Sequence, residues 1–297
     1  MPARITVCYT NQPAVESFLY EESDYRIGRS KECELILEHP TVSRQHATVA
    51  NLNRVWQLND ESSRNGTRVN GLAISTSTLE DDAIISIGKL DCLFESKSTQ
   101  QIQAIQNHNN WRLSASKPGI KNITVNLKQN LLSQLQNLIM LTGTQRGGVF
   151  LGNTLQSLRV CITQGLSGKD FKLNNFEGSI GAISQCYSKG EPIIAMDITH
   201  HQLLSSRQSI ELKKISALAC IPLTYEGSII GVIYTDSKMS GKVLTELDLE
   251  ILTSISLQIE TTVQAILLQQ SIELLQSQLI NSSSFDGNDY NLFKLCH

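Results

Sequence analysis

Along the first 97 residues apolar and polar positions alternate with a period of two. Ile5, Val7 and Tyr9 sit between polar neighbours, Val55 and Leu58 continue the pattern around Trp56, and Ile85 and Ile87 precede an apolar run over 90–94. Turn formers punctuate these runs: Gly28, His39-Pro40, Asn65-Gly66 and Asn70-Gly71. Short strands at this spacing predict an all-β sandwich over 1–97. Residues 98–128 are rich in Gln, Asn, Ser and Lys and read as a polar linker with a short helix in its first half. From 129 to 267 the two periodicities mix. Helical spacing covers 131–141 and 178–188, and strand-like runs occupy 148–151, 157–162, 192–195, 218–225 and 228–234. That order predicts a sheet with helices packed on it. A last helix is predicted from near Thr245 to near Leu279. Ile251, Ile255, Ile259, Val263 and Ile266 form its first apolar stripe. Ala265, Leu268, Ile272, Leu275 and Leu279 follow with three-four spacing, a coiled-coil-like seam over 268–280 suited to a partner helix. The tail 281–297 is polar and expected to be disordered.

Composition narrows the function classes. A net charge of −3 argues against broad nucleic-acid binding. The seven cysteines are scattered without C-x-x-C spacing, so reduced and mostly buried thiols are expected. No histidines or carboxylates stand beside them at zinc spacing, and no metal or cofactor is expected. The apolar stretch 251–268 carries Glu260 among several Thr, Ser and Gln and reads as an amphipathic helix, with no membrane partner. The first ten residues lack the apolar core of a signal peptide, and a cytoplasmic setting is expected.

Four clusters carry candidate chemistry. They are Gly28-Arg29-Ser30, then Ser43-Arg44-Gln45-His46, then Ser62-Ser63-Arg64-Asn65-Gly66-Thr67, then Val69-Asn70-Gly71. A phosphorylated side chain brings nearly two negative charges and three acceptor oxygens. Arg29 and Arg44 offer charge-assisted donors, Ser43 a compact hydroxyl, and Asn65 an amide suited to an extended peptide backbone. Together, in this order, the clusters resemble the forkhead-associated (FHA) domain pattern G-R, S-R-x-H, N-G-T and V-N-G, over roughly residues 3–96. The resemblance implies phosphate contacts at Arg29, Ser43 and Arg44 and a peptide-backbone contact at Asn65. Arg64 stands where that family often has a small hydroxyl residue that also touches the phosphothreonine; an arginine there adds a third cation or reaches a peptide side chain. Gly28, His46, Gly66 and Asn70 are expected to shape and brace the loops, with His46 a buried structural imidazole rather than a catalytic base.

Residues 131–267 resemble a GAF domain through Gly147-Gly148-Val149-Phe150-Leu151, Gly178-Ser179-Ile180-Gly181, 190–194 with Asp197, 218–223 and 231–237. The fold class is therefore multi-domain: an all-β FHA sandwich followed by an α/β GAF domain with a long C-terminal helix. The GAF resemblance implies a pocket open to an unidentified small molecule, or a module used for dimerisation alone. The nucleotide-regulated Asn-Lys-x-Asp motif is absent, and so is a Cys-His pair for bilin attachment. His200-His201 in a polar stretch reads as solvated. The Cys161, Cys186 and Cys220 thiols are expected to be inert rather than the site of a methionine-sulfoxide reductase.

The expectation is a non-enzymatic regulatory or adaptor protein that binds a phosphothreonine-containing partner and forms a homodimer. The alternative is a GAF ligand sensor whose FHA domain is an intramolecular or structural element. Thr99 and Thr124 each precede an apolar residue by three positions and are candidates for phosphorylation and docking onto the cleft of the same or a partner chain; Thr99 stands too close to the domain's end to reach its own loops, which favours Thr124 or a partner chain.

Overall fold

The computed structural model describes residues 1–9, 11–118, 127–166, 176–196, 215–239 and 241–281, with side chains to 277. It divides into two compact units, the first made of Met1–Tyr9 and Pro13–Trp111, the second of Thr10–Gln12 and Arg112–His297.

The first unit contains eleven strands among its described residues. In chain order they are β1 Ala3–Cys8, β2 Val15–Leu19, β3 Tyr25–Gly28, β4 Leu35–Ile36, β5 Ala47–Leu52, β6 Val55–Asp60, β7 Thr67–Val69, β8 Leu72–Ile74, β9 Thr76–Thr78, β10 Ala83–Ile87 and β11 Leu90–Ser96. They form two sheets, β2-β1-β11-β10-β7-β8 and β4-β3-β5-β6-β9. All pairings are antiparallel except β3 with β4. The alternation read from the sequence becomes an inner face, where Ile5, Val7, Ile27, Leu58, Ile85, Ile87 and Phe94 are buried in one core. Trp56 packs tilted against Tyr25 and edge-on to Phe94, and its Nε1–H donates to the Met1 carbonyl at 2.8 Å. This arrangement gives a buried indole the partner its N–H requires. The two-residue loop Asn70-Gly71 joins β7 to β8 with φ of 50° and 81°, the primed turn that Asn-Gly favours.

Helix α1 spans Thr99–Ser116, longer than the short helix expected in the linker. Its apolar residues do not fall on one stripe. The ends hold it instead: Ser98 and Gln101 bond reciprocally at its start, and Ile102 is buried. In the second unit, Arg112 donates to the Leu141 carbonyl at 2.6 Å and pairs with buried Asp248, while the Ser116 carbonyl accepts from Ser254 and Gln258. These contacts satisfy carbonyls that a helix end leaves orphaned.

The second unit continues with α2 Leu127–Thr142, β12 Arg146–Leu151, a 3₁₀ turn Leu155–Ser157, β13 Arg159–Gln164, α3 Ile180–Lys189, β14 Ile193–Met196, β15 Ala217–Tyr225, β16 Ser228–Ser237 and α4 Glu246–Asn281. Its sheet is antiparallel, in the order β13-β12-β16-β15-β14. Phe150, Leu218, Cys220, Val232 and Tyr234 point to α3, where Ala182, Ile183 and Cys186 meet them. Helices α2 and α4 pack on each other and against the sheet. Strand β13 starts at Arg159, because Leu155–Ser157 closes into the 3₁₀ turn under a Thr154–Ser157 capping box.

The first stripe of α4 is buried at Ile251, Ile255, Ile259 and Val263. By length and composition α4 would pass for a membrane-spanning segment, but this stripe faces the protein interior. Leu268, Ile272 and Leu275 of the seam are 55%, 54% and 47% exposed, with no partner helix in a single chain. Leu279, the tail 282–297, Cys296, His200-His201, Asp197, Thr124 and the 119–126 part of the linker lie outside the residues, or the side chains, described.

Candidate functional site

Three loops and one hairpin turn come together at one end of the sandwich: the segments after β3, before β5 and after β6, and the β10–β11 turn. Gly28 makes the first junction possible. Its main chain runs so close to Arg44 that a Cβ would stand 2.2 Å from the Arg44 carbonyl oxygen. Across this approach Arg29 N–H donates to Ser43 O at 2.9 Å and Ser30 N–H to Arg44 O at 3.1 Å. The backbone thereby sets Arg29 beside Ser43 and Arg44.

His46 ties the second loop to the third. It is fully buried. Its Nδ1 accepts from Ser43 N–H at 3.0 Å, which leaves the Nε2–H to donate to the Gly66 carbonyl at 3.2 Å. Both partners fit one neutral tautomer, and burial lowers the pKa of the ring. The His46 ring therefore serves as a brace.

The third loop is pinned at almost every residue. Ser63 donates through its main chain and its hydroxyl to Asp60, as Thr67 does through its hydroxyl, at 2.6–2.9 Å. Burial opposes ionisation of Asp60, but these hydrogen bonds outweigh it and lower its pKa. Arg64 N–H donates to Ser43 Oγ at 3.1 Å, and Asn65 Nδ2 donates to the Thr41 carbonyl at 2.7 Å. Thr41 also accepts from Lys89 N–H in the β10–β11 turn.

The result is a cleft of about 610 Å³ lined by Arg29, Ser43, Arg44, Arg64 and Asn65 among others, with Glu32 the one carboxylate on its walls. All five sequence-predicted binding residues thus share one cavity. Arg29, Arg44, Arg64 and Asn65 are exposed. Among the described residues none of the three guanidinium groups has an ion-pair or hydrogen-bond partner. The Ser43 hydroxyl accepts from Arg64, so its own proton is free to donate into the cleft. Of the bracing residues, Gly28, His46 and Gly66 stand directly behind the cleft. Asn70 lies at the other end of β7, where its Oδ1 accepts from Ile84 N–H and fixes β7 to β10. Thr41 and the Asp60 brace were not apparent from the sequence. An aspartate three residues before a serine is a weak capping signal, and for Thr41 there is no local signal.

Residues 25–88 match the family model of the FHA domain, and residues 127–263 match that of the GAF domain. The chain carries an FHA domain followed by a GAF domain. The FHA region is 33% identical over 69 residues to the ABC transporter ATP-binding/permease protein Rv1747 of Mycobacterium tuberculosis. That match covers 23% of this chain and 8% of the transporter, so the chain spans a small fraction of this curated relative. Among solved structures it is similar to EmbR of Mycobacterium tuberculosis in complex with a low-affinity phosphopeptide, at 27% identity and a TM-score of 0.29, covering 33% of this chain and 25% of that one. It is also similar to the FHA domain of CT664 from Chlamydia trachomatis, at 23% identity and a TM-score of 0.32, covering 33% of this chain and all of that one.

In the GAF domain the described residues of the α3 face are filled with side chains. Phe176 stacks edge-on to Phe150 and Tyr234, with centroids 5.4 and 5.8 Å away. The Tyr234 hydroxyl donates to Asp236 Oδ2 at 2.5 Å and accepts from Ser179 N–H at 3.0 Å. Asp236 also receives both Arg146 Nε and a terminal nitrogen at 2.7 Å, and Arg146 reaches Glu177 at 2.9 Å. Burial, then the neighbouring Asp236 charge, raises the Tyr234 pKa well above its ordinary value. No group of three metal-ligating side chains occurs among the described residues. Cys161, Cys186 and Cys220 are buried in β13, α3 and β15, and burial pushes the Cys186 thiol up to about 12.

Proposed function

We propose that the FHA domain binds a phosphothreonine-containing segment of a partner protein, and that the chain works as a non-catalytic regulatory or adaptor protein. The observation that carries this reading is the set of three exposed, unpaired guanidinium groups around a serine whose hydroxyl proton is free to donate into the same cleft. A dianionic phosphate meets this need through charge-assisted hydrogen bonds. Placement on braced strand ends limits the ordering cost at binding to the side chains themselves. The GAF domain contributes signal input or dimerisation, and the exposed Leu268, Ile272 and Leu275 favour assembly through α4.

Docking of the chain's own Thr99 onto its own cleft is disfavoured by placement. Thr99 follows the far end of β11, and the six residue steps from Leu90 to Ser96 carry the chain about 20 Å from the cleft-side turn. Titration calorimetry with matched phosphothreonine, phosphoserine and unphosphorylated peptides tests the reading. Phosphothreonine is expected to win over phosphoserine about fivefold, since one packed methyl contributes about 1 kcal/mol. Arg29→Ala is expected to abolish binding with the fold kept. Unchanged affinity in a folded Arg29→Ala protein refutes the reading.

A further inference from the structure

Among the residues expected to bind in the cleft, Asn65 is the one whose chemistry depends on which way round its side chain sits. An amide offers donors at Nδ2 and an acceptor at Oδ1, and a half-turn about χ2 exchanges them. Here the sense is fixed from outside the Asn65 loop. Nδ2 donates to the Thr41 carbonyl at 2.7 Å, and a carbonyl can only accept, so the reversed amide would set two oxygens face to face. Oδ1 has no partner among the described residues and is left to accept an N–H from a bound peptide backbone. Thr41 thus decides what Asn65 offers.

Thr41 is in turn held on two sides. Its N–H donates to His39 Nδ1 at 3.3 Å, which makes that nitrogen the unprotonated one, and its hydroxyl then donates to the same Nδ1 at 2.7 Å. Thr41 Oγ1 meanwhile accepts from Lys89 N–H at 3.1 Å in the β10–β11 turn. In that turn Gly88 runs so close that a Cβ would stand 2.6 Å from the Thr41 carbonyl oxygen and 2.9 Å from Oγ1. Gly88 N–H also reaches the Gly66 carbonyl at 3.3 Å, next to Asn65. The Thr41 hydroxyl therefore joins His39 to the β10–β11 turn, and the carbonyl that Asn65 faces is fixed between them. A β-branched side chain, stiff at χ1, suits such a post.

We propose that Thr41 is a positioning residue for Asn65: its hydroxyl, bridging His39 and the β10–β11 turn, fixes the carbonyl that turns the Asn65 amide with Oδ1 towards the peptide. This rests on the phosphothreonine reading of the cleft. The phosphate-facing groups are set by other bonds, those of Arg29 and Ser30 N–H to the carbonyls of Ser43 and Arg44. Loss of the Thr41 hydroxyl therefore weakens the peptide-backbone contact and leaves the phosphate contact in place.

The test uses the full chain and titration calorimetry with one phosphothreonine peptide, read as a double-mutant cycle. Asn65→Ala is expected to weaken binding about tenfold and Thr41→Val about fivefold, within the range of one lost hydrogen bond. Thr41→Ser keeps the hydroxyl and is expected to bind within about twofold of the parent. In the Asn65→Ala background Thr41→Val is expected to change affinity by less than about twofold, so the double variant stays near the loss of Asn65→Ala alone and far from the product of about fiftyfold. Gly88→Ala presses on Thr41 from the turn side, is expected to show the same loss and the same disappearance of it, and replaces Thr41→Val should that variant fail to fold. The proposal is overturned if the losses multiply, because Thr41 then acts on the peptide directly. It is overturned as well if Thr41→Ser binds as poorly as Thr41→Val, if neither Thr41→Val nor Gly88→Ala weakens binding, or if Asn65→Ala binds as the parent does while Arg29→Ala does not. If the parent binds no phosphothreonine peptide, or Arg29→Ala binds as the parent does, the phosphothreonine reading itself fails and the proposal with it.

Discussion

Replacing His46 by alanine removes the brace while leaving every side chain that lines the cleft chemically unchanged. The imidazole is fully buried, and its loss strands two groups, the Ser43 N–H and the Gly66 carbonyl. Both residues are half-buried, so water relieves part of the loss and each costs about 1 kcal/mol, the low end for an unsatisfied group. The cavity left by the ring adds about 1–2 kcal/mol. The sum, about 3–4 kcal/mol, is a large share of the stability of a domain this size but does not exceed it. His46→Asn restores an acceptor towards Ser43 and should recover roughly half of that. A pH dependence follows. Burial lowers the folded-state pKa of His46 below the ordinary value of 6.5. Its contribution is therefore complete above that value and is lost as pH falls, because the unfolded chain takes up a proton that the folded ring refuses. Between about pH 7.5 and about pH 5.5 the gap between parent and His46→Ala should narrow by about 1 kcal/mol. Urea titrations of both proteins at the two pH values measure it. A gap under about 0.5 kcal/mol at the higher pH, or one that widens in acid, refutes the bracing role.

Three further outcomes are expected. Gly28→Ala should force β3 away from Arg44, costing about 2–4 kcal/mol and the phosphopeptide affinity together. Gly181→Ala in α3, where a Cβ meets nothing within 4 Å, should instead be neutral or stabilise by up to about 1 kcal/mol; calorimetric melting compares the two, and equal losses would sink the steric argument. Asp236→Ala should cost about 3–5 kcal/mol by leaving Arg146 buried without its main partner, whereas Arg146→Met combined with Asp236→Leu should cost less than the sum of the single changes. Thermal unfolding of Asp236→Ala, the two single changes and their combination decides this, and simple additivity would contradict it. The parent should be a dimer by light scattering and the Ile272→Asp, Leu275→Asp double variant a monomer; equal mass for both would remove the α4 seam as the interface.

The parts of this molecule that were legible in advance are those in which the physics is local. Alternation marks β1, β10 and β11 because one face of each strand is buried, whereas in β6 the buried positions are Trp56 and Leu58 and Val55 is exposed. Three of the four motif clusters mark the cleft, because their arginine, hydroxyl and amide groups gather at strand ends; the fourth, around Asn70, marks the turn at the other end of β7. What stayed hidden depends on residues far apart in sequence. Thr41 meets Asn65 across 24 positions and Lys89 across 48, and nothing in its neighbourhood announces either bond. Helix α1 lies in a segment whose polarity and missing apolar stripe read as linker. It is helical because of its capped start, the burial of Ile102 and the anchoring of Arg112 and Ser116 on residues more than a hundred positions later.

The anchoring of α1 bears on how the molecule should be dissected. Matching to the GAF family begins at residue 127, yet the main segment of the second compact unit runs from Arg112. A fragment started at 127 would lack the cation that faces buried Asp248, a residue in the first turn of α4 whose carboxylate also accepts from Thr245 just before that helix. It would also leave the Ser254 hydroxyl and the Gln258 amide without the carbonyl they bond. Poor yield or low melting temperature of such a fragment would say nothing about the native GAF domain. A fragment that starts before Arg112 keeps its own N-terminal strap and is the fair object for ligand screening.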